Sequence, residues 1–589
     1  MMRPLPTIGA ATATATAAPS TASPALTSAA TRATRSAAPA AMRSYRQDET
    51  VDFVIVGSGA AGGVLAKELA TAGFDVVVLE QGPWRQSGDF THDELGNWFL
   101  FDLMPNPTEF PQTFRASESG QAQVQAFPPP LIYARGVGGS SVHFTANFWR
   151  FHPIDFNERS RWGAIEGTGF ADWPITYDEL EPYYTKVDWE IGVSGAPLAR
   201  DAHRSRPYPV PPLPVKSSGV LLERGAAKLG LTAEPAPMAI LSQPHEGRAA
   251  CMHCGYCMMY GCEFGAKSST LVTMIPRAVD TGRCEVRPNS TAHRVETDDA
   301  GRATGVVYWD ADGTEQRQRA RAVVLAANGA ETTRLLMMSG RAGSADGLAN
   351  SSGMVGRHLM FNGQTSAFGL FEHPLNEYKS VQVTRIIHDF YDADPARGFY
   401  GGGGIDARMS QGALLFALGG LPPDAPQWGP EYKRMLRDYY THTVEIAGHT
   451  TSLPVPTNSV SLDPDAKDRW GRPALRITYR DHNDDLEMMR FMQDRSKELL
   501  EAAGATRVWA PPIAPQTIGA HLLGTARMGN DPRTSVVDRD HRAHDVPNLF
   551  ICDGSSFVTS GRGQPTMTIQ ALAFRAGERL AEAARAGKI

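Results

Sequence analysis

Between residues 51 and 82 the chain reads VDFVIVGSGAAGGVLAKELATAGFDVVVLEQG, and its apolar pattern changes period twice. Phe53 to Val56 is an unbroken apolar run, which predicts a short strand buried on both faces. From Val64 to Ala72 helix formers take over, with Leu65 and Leu69 four apart, and Gly73 closes the predicted helix. Val76 to Leu79 predicts a second buried strand that ends at Glu80. Far downstream, PTNSVSLDPDAKDRWGRPALRITY alternates apolar and polar positions between turn signals, as a sheet does. Near the end, an apolar strand from Leu549 to Cys552 runs into Asp553 and Gly554, and Pro565 and Thr566 open a long amphipathic helix.

The turn between the first strand and the first helix carries Gly57, Gly59 and Gly62 in the pattern G-x-G-x-x-G. Gly57 permits the tight turn, Gly59 lets a pyrophosphate approach the backbone, and Gly62 lets the helix pack close to the strand. The helix N-terminus then faces the phosphates, and Glu80, about 20 residues on, is placed to bind both ribose hydroxyls. Strand, turn, helix, strand and acid in this order predict a dinucleotide site. The motif alone does not separate NAD from FAD.

The chain has 589 residues, room for several domains at ~100–200 residues each. Hydrophobic content of 42% and charged content of 20% are those of a soluble globular protein. A net charge of −6 gives no footprint for nucleic acid. No apolar run approaches the ~18 residues of a membrane helix, so no direct membrane span is expected. Residues 1–47 are rich in Ala, Thr, Ser and Pro, with a few Arg and no acid before Asp48. They read as a disordered tail, with a transit-peptide flavour and without a secretory apolar core.

Four of the six cysteines, Cys251, Cys254, Cys257 and Cys262, fall within CMHCGYCMMYGC. Spacing of this kind suits an iron–sulfur cluster. Zinc would accept four thiolates, C-x-x-C pairs are often redox-active, and a metal-free loop is the plain alternative. Cys284 and Cys552 stand apart and are expected as small buried apolar residues.

The block HLLGTARMGNDPRTSVVDRDHRAHDVPNLF from His521, together with PNLFICDGSSFVTSGRGQPTMTIQALAFRAGERLAEAARAG from Pro547, resembles the C-terminal signature of the glucose–methanol–choline (GMC) oxidoreductases. RGVGGSSVHFTANFWR from Arg135 and VVLAANGAETTRLLMMSG from Val323 are similar to that family too, in the family's order. The resemblance implies an α/β fold: a doubly wound, Rossmann-like FAD-binding domain plus a substrate domain whose antiparallel sheet roofs the flavin. On that pattern residues 48–362 and 513–589 form the FAD domain, and 363–512 form the substrate domain.

The same resemblance implies the chemistry. His521 falls on the family's base, which takes a hydroxyl proton while hydride passes to flavin N5. Gln564 falls where histidine or asparagine is usual, and its amide would donate to the substrate oxygen. Asp553 and Gly554 fall on cofactor contacts, as do Arg135 and Gly139, and the helix from Thr566 points its positive end at the flavin. His143 falls on a histidine that in some relatives is bonded covalently to FAD.

Within the family the chain most resembles the large subunits of bacterial sugar dehydrogenases, in which three such cysteines carry a [3Fe-4S] cluster. The function so implied is oxidation of a CH–OH group on a sugar, sugar acid or glycoside. Electrons would pass to a carrier, with a small helper subunit and a cytochrome as partners. A GMC oxidase releasing peroxide and a flavin-containing lyase are the alternatives. The compartment would be cytoplasmic, or periplasmic if a partner subunit carries the export signal.

Overall fold

The computed structural model describes residues 42–340, 347–408 and 412–589. The expected tail up to residue 41 lies outside the described residues. Residues 42–47, grouped with that tail by composition, are instead docked on the first sheet. Tyr45 is buried, and its hydroxyl donates to Asp75 Oδ1 at 2.8 Å and to the Arg283 carbonyl at 2.9 Å. An aromatic ring against the sheet outweighs the low-complexity composition around it.

The two predicted strands and the helix between them form as expected: strand Thr50–Val56, helix Ala60–Thr71 and strand Val76–Leu79. The helix begins four residues before the apolar periodicity does, because Gly59 is its N-cap. These elements seed a seven-stranded sheet. Thr50–Val56 lies parallel to Val76–Leu79 on one side and to Glu315–Leu325 on the other. Cys284–Arg287 and Leu549–Ile551 extend the parallel region at its two sides. Ala303–Trp309 and Thr291–Thr297 continue it as an antiparallel ribbon. The returning C-terminal segment thus supplies a strand and the 20-residue helix Thr566–Arg585, which packs on Ala60–Thr71. Cys284 and Cys552 are fully buried here, as anticipated.

A second sheet of six strands holds Gly363–Leu370, Thr443–Thr450 and Gly403–Arg408 at its centre, all antiparallel. Period-2 geometry splits their side chains between two faces. Ala367, Ile405, Ala407, Val444 and Ile446 face the helix Asn483–Ala503 and pack on Met488, Met492 and Leu499. The alternate positions Gln364, Asp406, Arg408 and His449 share the opposite face, in cross-strand register Gln364–His449 and Arg408–Glu445.

The sheets do not follow the chain segments cleanly. Ala233–Pro235 adds an edge strand to the six-stranded sheet. The alternating stretch after residue 456 does form strands, Ser459–Lys467 and Pro473–Thr478, yet they do not join that roof. They make a separate four-stranded sheet with Gln112–Arg115 and Gln123–Val124. Alternation specifies a strand's two faces but not its neighbour.

Candidate functional site

A cavity of about 400 Å³ runs from the glycine turn to the face of the six-stranded sheet. Gly57, Gly59, Glu80, Gly139, His143, His521, Asp553, Gly554, Gln564 and Thr566 all line it. Ten of the residues singled out from sequence therefore meet in one space.

The nucleotide end fits a dinucleotide. Gly57 has φ +95°, and a Cβ there would sit 2.5 Å from the Ala326 carbonyl oxygen. Gly62 lies behind the cavity wall, where a Cβ would fall 1.9 Å from the Gly57 oxygen. In front of Gly59 the nearest atom to an added Cβ is Gly139 Cα at 3.8 Å, so the missing methyl leaves room for a phosphate. Glu80 is held by Ser58 N–H (3.2 Å) and Oγ (2.8 Å) on one oxygen, and by Gly82 N–H (3.0 Å) and Gly136 N–H (3.2 Å) on the other. Burial nevertheless raises its pKa above the usual carboxylate value. Asp553 is similarly buried, raised, and fixed by Thr332 Oγ1 at 2.6 Å and Ser555 N–H at 2.8 Å.

Arg135 lies apart from the ten residues of the main cavity. Its side chain does not reach the main cavity but stacks over Phe110, 5.2 Å from the ring centroid, beside a small separate cavity.

His143 is buried in the cavity wall beside the Ser140 backbone, and among the described residues neither ring nitrogen makes a well-formed hydrogen bond. Burial and the nearby Lys267 charge push its pKa down to about 3, so the imidazole is neutral. Its backbone carbonyl accepts from Met259 N–H at 2.7 Å, which ties the flavin-side wall to the cysteine loop. Lys267 completes the tie by donating to the carbonyls of Phe144 (3.0 Å) and Tyr260 (2.8 Å).

The cysteine loop is thus next to the cavity, but its thiols do not assemble a metal site. Among the described residues no three His, Cys, Asp or Glu side chains converge as metal ligands. Cys251, Cys254, Cys257 and Cys262 are all free, and burial raises Cys251 to about 11 and Cys257 to about 12. The thiols nevertheless lie close enough to act on one another: Cys257 is influenced by Cys251, Cys254 and Cys262.

The other end of the cavity is built by two loops and the six-stranded sheet. His521 Nδ1 lies 3.1 Å from Asn362 Oδ1. The Asn362 amide nitrogen donates to the carbonyls of Thr450 (3.1 Å) and Gly561 (3.1 Å), so its oxygen is the atom that faces the histidine. His521 therefore carries its proton on Nδ1, and Nε2 is left with a lone pair. Burial and the neighbouring His449 push its pKa down to about 3.

Gln564 sits opposite on the loop anchored by Arg562, a fully buried guanidinium paired with Asp155 at 2.5 Å and with Glu158. Its amide contacts His449 Nδ1 at 3.3 Å. His449 Nε2 lies between Asp406 Oδ2 (2.9 Å) and Arg408 Nη2 (2.8 Å).

Asn362, Gln364, Arg408 and the Asp406–His449 contact were not assigned from sequence. The signal was present: GGIDAR and TVEIAGHT alternate, and both strands are buried throughout. Charged residues on a fully buried strand face require a polar cavity or partners. Of four residues of the substrate segment that could line a sugar site, Trp428, Tyr432, Tyr439 and His449, only His449 lines the cavity. Trp428 is a surface residue at 84% exposure.

Two family models, each described as GMC oxidoreductase, match residues 51–361 and 454–573. The chain belongs to the GMC oxidoreductase family; it is an oxidoreductase of CH–OH groups, with FAD as cofactor. It is similar to 2-methyl-1,2-propanediol dehydrogenase of Mycolicibacterium austroafricanum, at 35% identity over 90% of this chain and 95% of the relative. It is 30% identical to the fructose dehydrogenase large subunit of Gluconobacter japonicus, over 90% of this chain and 97% of that one. The crystal structure of pyridoxine 4-oxidase from Mesorbium loti shares the fold, with a TM-score of 0.58 at 19% identity over 90% of this chain and 98% of that one. Among the described residues no helix is long and apolar enough to cross a membrane.

Proposed function

We propose that the protein is a dehydrogenase that oxidises a CH–OH group of a sugar or polyol, with His521 as the base. FAD, when bound, supplies the hydride acceptor. The observation that carries this reading is the contact of His521 Nδ1 with Asn362 Oδ1 in the same cavity as the nucleotide cradle, which leaves Nε2 as the nitrogen with a lone pair. Asn362 holds Nδ1–H, so Nε2 is the nitrogen that takes the hydroxyl proton. Gln564 acts from the other side, where an amide N–H donates to the substrate oxygen but cannot act as a base. The imidazole is neutral before substrate arrives because burial and His449 disfavour its charge.

The positive end of helix Thr566–Arg585 lies on the cavity wall and favours negative charge there. His143, neutral and in the cavity wall, would hold the cofactor covalently through a ring nitrogen; the new bond would replace a C–H of the flavin methyl group, with the two electrons going to the flavin itself and the protons to solvent. The thiols are given no step. The names of two relatives, both dehydrogenases, support electron delivery to a carrier rather than to oxygen, although others of like identity are named oxidases; "large subunit" supports a smaller partner subunit, and a cytochrome is the acceptor proposed with it. Turnover in air with and without a reducible dye tests this: dye reduction without matching peroxide is expected, and stoichiometric peroxide release would make the enzyme an oxidase.

A further inference from the structure

The reacting end of the cavity is lined by Asn147, Gln364, Arg408, His449, His521 and Gln564. Arg408 is the fixed charge in this group, and such a guanidinium invites a role in binding a carboxylate. The geometry argues otherwise. A guanidinium grips a carboxylate through one of two edges, each offering a pair of nitrogens. The Nε–Nη2 edge is taken by Asp406, with Nε to Oδ1 at 2.5 Å and Nη2 to Oδ2. Nη2 also lies 2.8 Å from His449 Nε2, which blocks half of the other edge. Nη1 alone makes no hydrogen bond to a described residue. One nitrogen can meet a hydroxyl but cannot form a fork.

The charge is already matched as well. Asp406 is completely buried and also accepts from Asn147 Nδ2 at 3.0 Å. Its carboxylate is stabilised by Arg408 and His449, and its pKa is held below the usual range. An incoming anion would lose its water beside a pair that is already neutral, with the Asp406 charge close behind. An uncharged hydroxyl needs only matched donors and acceptors, and Gln364, Gln564, Asn147 and Arg408 Nη1 supply them.

We infer that the substrate is an uncharged polyol or sugar rather than a sugar acid, and that the Asp406–Arg408 pair enforces that choice. This rests on the assignment of the cavity to alcohol oxidation. The test is anaerobic bleaching of the flavin by an alditol and by the aldonate of the same chain length. In the wild type the alditol is expected to have at least tenfold the kcat/KM of the aldonate. Asp406→Asn leaves the Arg408 charge unmatched, and the aldonate-to-alditol ratio should rise about tenfold. Arg408→Gln should move that ratio the other way, whereas a merely structural role would lower both substrates alike. A wild-type enzyme that prefers the aldonate, or a ratio unmoved by both variants, overturns the inference while leaving alcohol oxidation intact. Failure of every alcohol to bleach the flavin overturns the underlying assignment and the inference with it.

Discussion

The 3.1 Å contact between His521 Nδ1 and Asn362 Oδ1 decides which ring nitrogen of the proposed base carries a proton. Asn362 cannot turn its amide around without losing its donation to the carbonyls of Thr450 and Gly561. Asn362→Leu removes that control without removing the base. The expected outcome is a loss of about 100-fold in the rate of flavin reduction, with flavin still bound. Rapid-mixing kinetics at saturating substrate measure it, and an unchanged rate would show that the tautomer is set elsewhere.

The pH profile follows from the burial of His521. With its pKa pushed down to about 3, the base is neutral and active at every pH above that value. Flavin reduction is therefore expected to stay level from pH 7 down to roughly 4, rather than halving near the ordinary histidine value of ~6.5. Reduction rates measured across this range, on enzyme checked for intact fold, decide between the two.

Stability carries the opposite consequence. His143 and His358 are also depressed to about 3, and His541 to about 4, all chiefly by burial. Below the ordinary value of ~6.5 the unfolded chain binds protons that the folded chain refuses. The contribution is therefore complete above that pH and is lost as pH falls toward the folded values, by about 1.4 kcal/mol per unit for each histidine. The melting temperature should fall from pH 6.5 to 4. In His541→Gln, which lies outside the cavity, the fall should be shallower, and an identical slope would remove this histidine from the account.

The glycine turn separates packing from binding. Gly62→Ala drives a methyl into the Gly57 carbonyl and should cost about 3 kcal/mol of stability. Gly59→Ala meets nothing in the protein closer than 3.8 Å and should fold normally. Its methyl occupies the phosphate space, so FAD affinity is expected to drop about tenfold or more. Thermal melts and flavin titration of the apoprotein distinguish the two effects, and wild-type affinity in Gly59→Ala would place the pyrophosphate elsewhere.

His143 gives a simple chemical test. Acid precipitation should leave the yellow colour with the protein pellet, and His143→Ala should release it to the supernatant. Release from the wild type would make the two ring nitrogens mere contacts.

Much of this site was written in local patterns. The strand–glycine turn–helix unit is contiguous, so Gly57, Gly59, Gly62 and Glu80 could be placed from spacing alone. His521, Gln564 and Asp553 came from motif resemblance. What stayed hidden was cross-strand: His449 meets Gln364 only through sheet register, and Asp406 meets Asn147 across 259 residues of chain. The surroundings of Arg135 and of the cysteine loop were equally hidden, because their contacts with Phe110 and with Lys267 are tertiary.

The central claim is that His521 is the base in an alcohol oxidation. Its most direct measurement is anaerobic flavin bleaching by a polyol or sugar, wild type against His521→Ala, both with flavin bound. The account predicts bleaching by the wild type and a rate about 10³-fold lower in the variant. Bleaching of His521→Ala at the wild-type rate would contradict it.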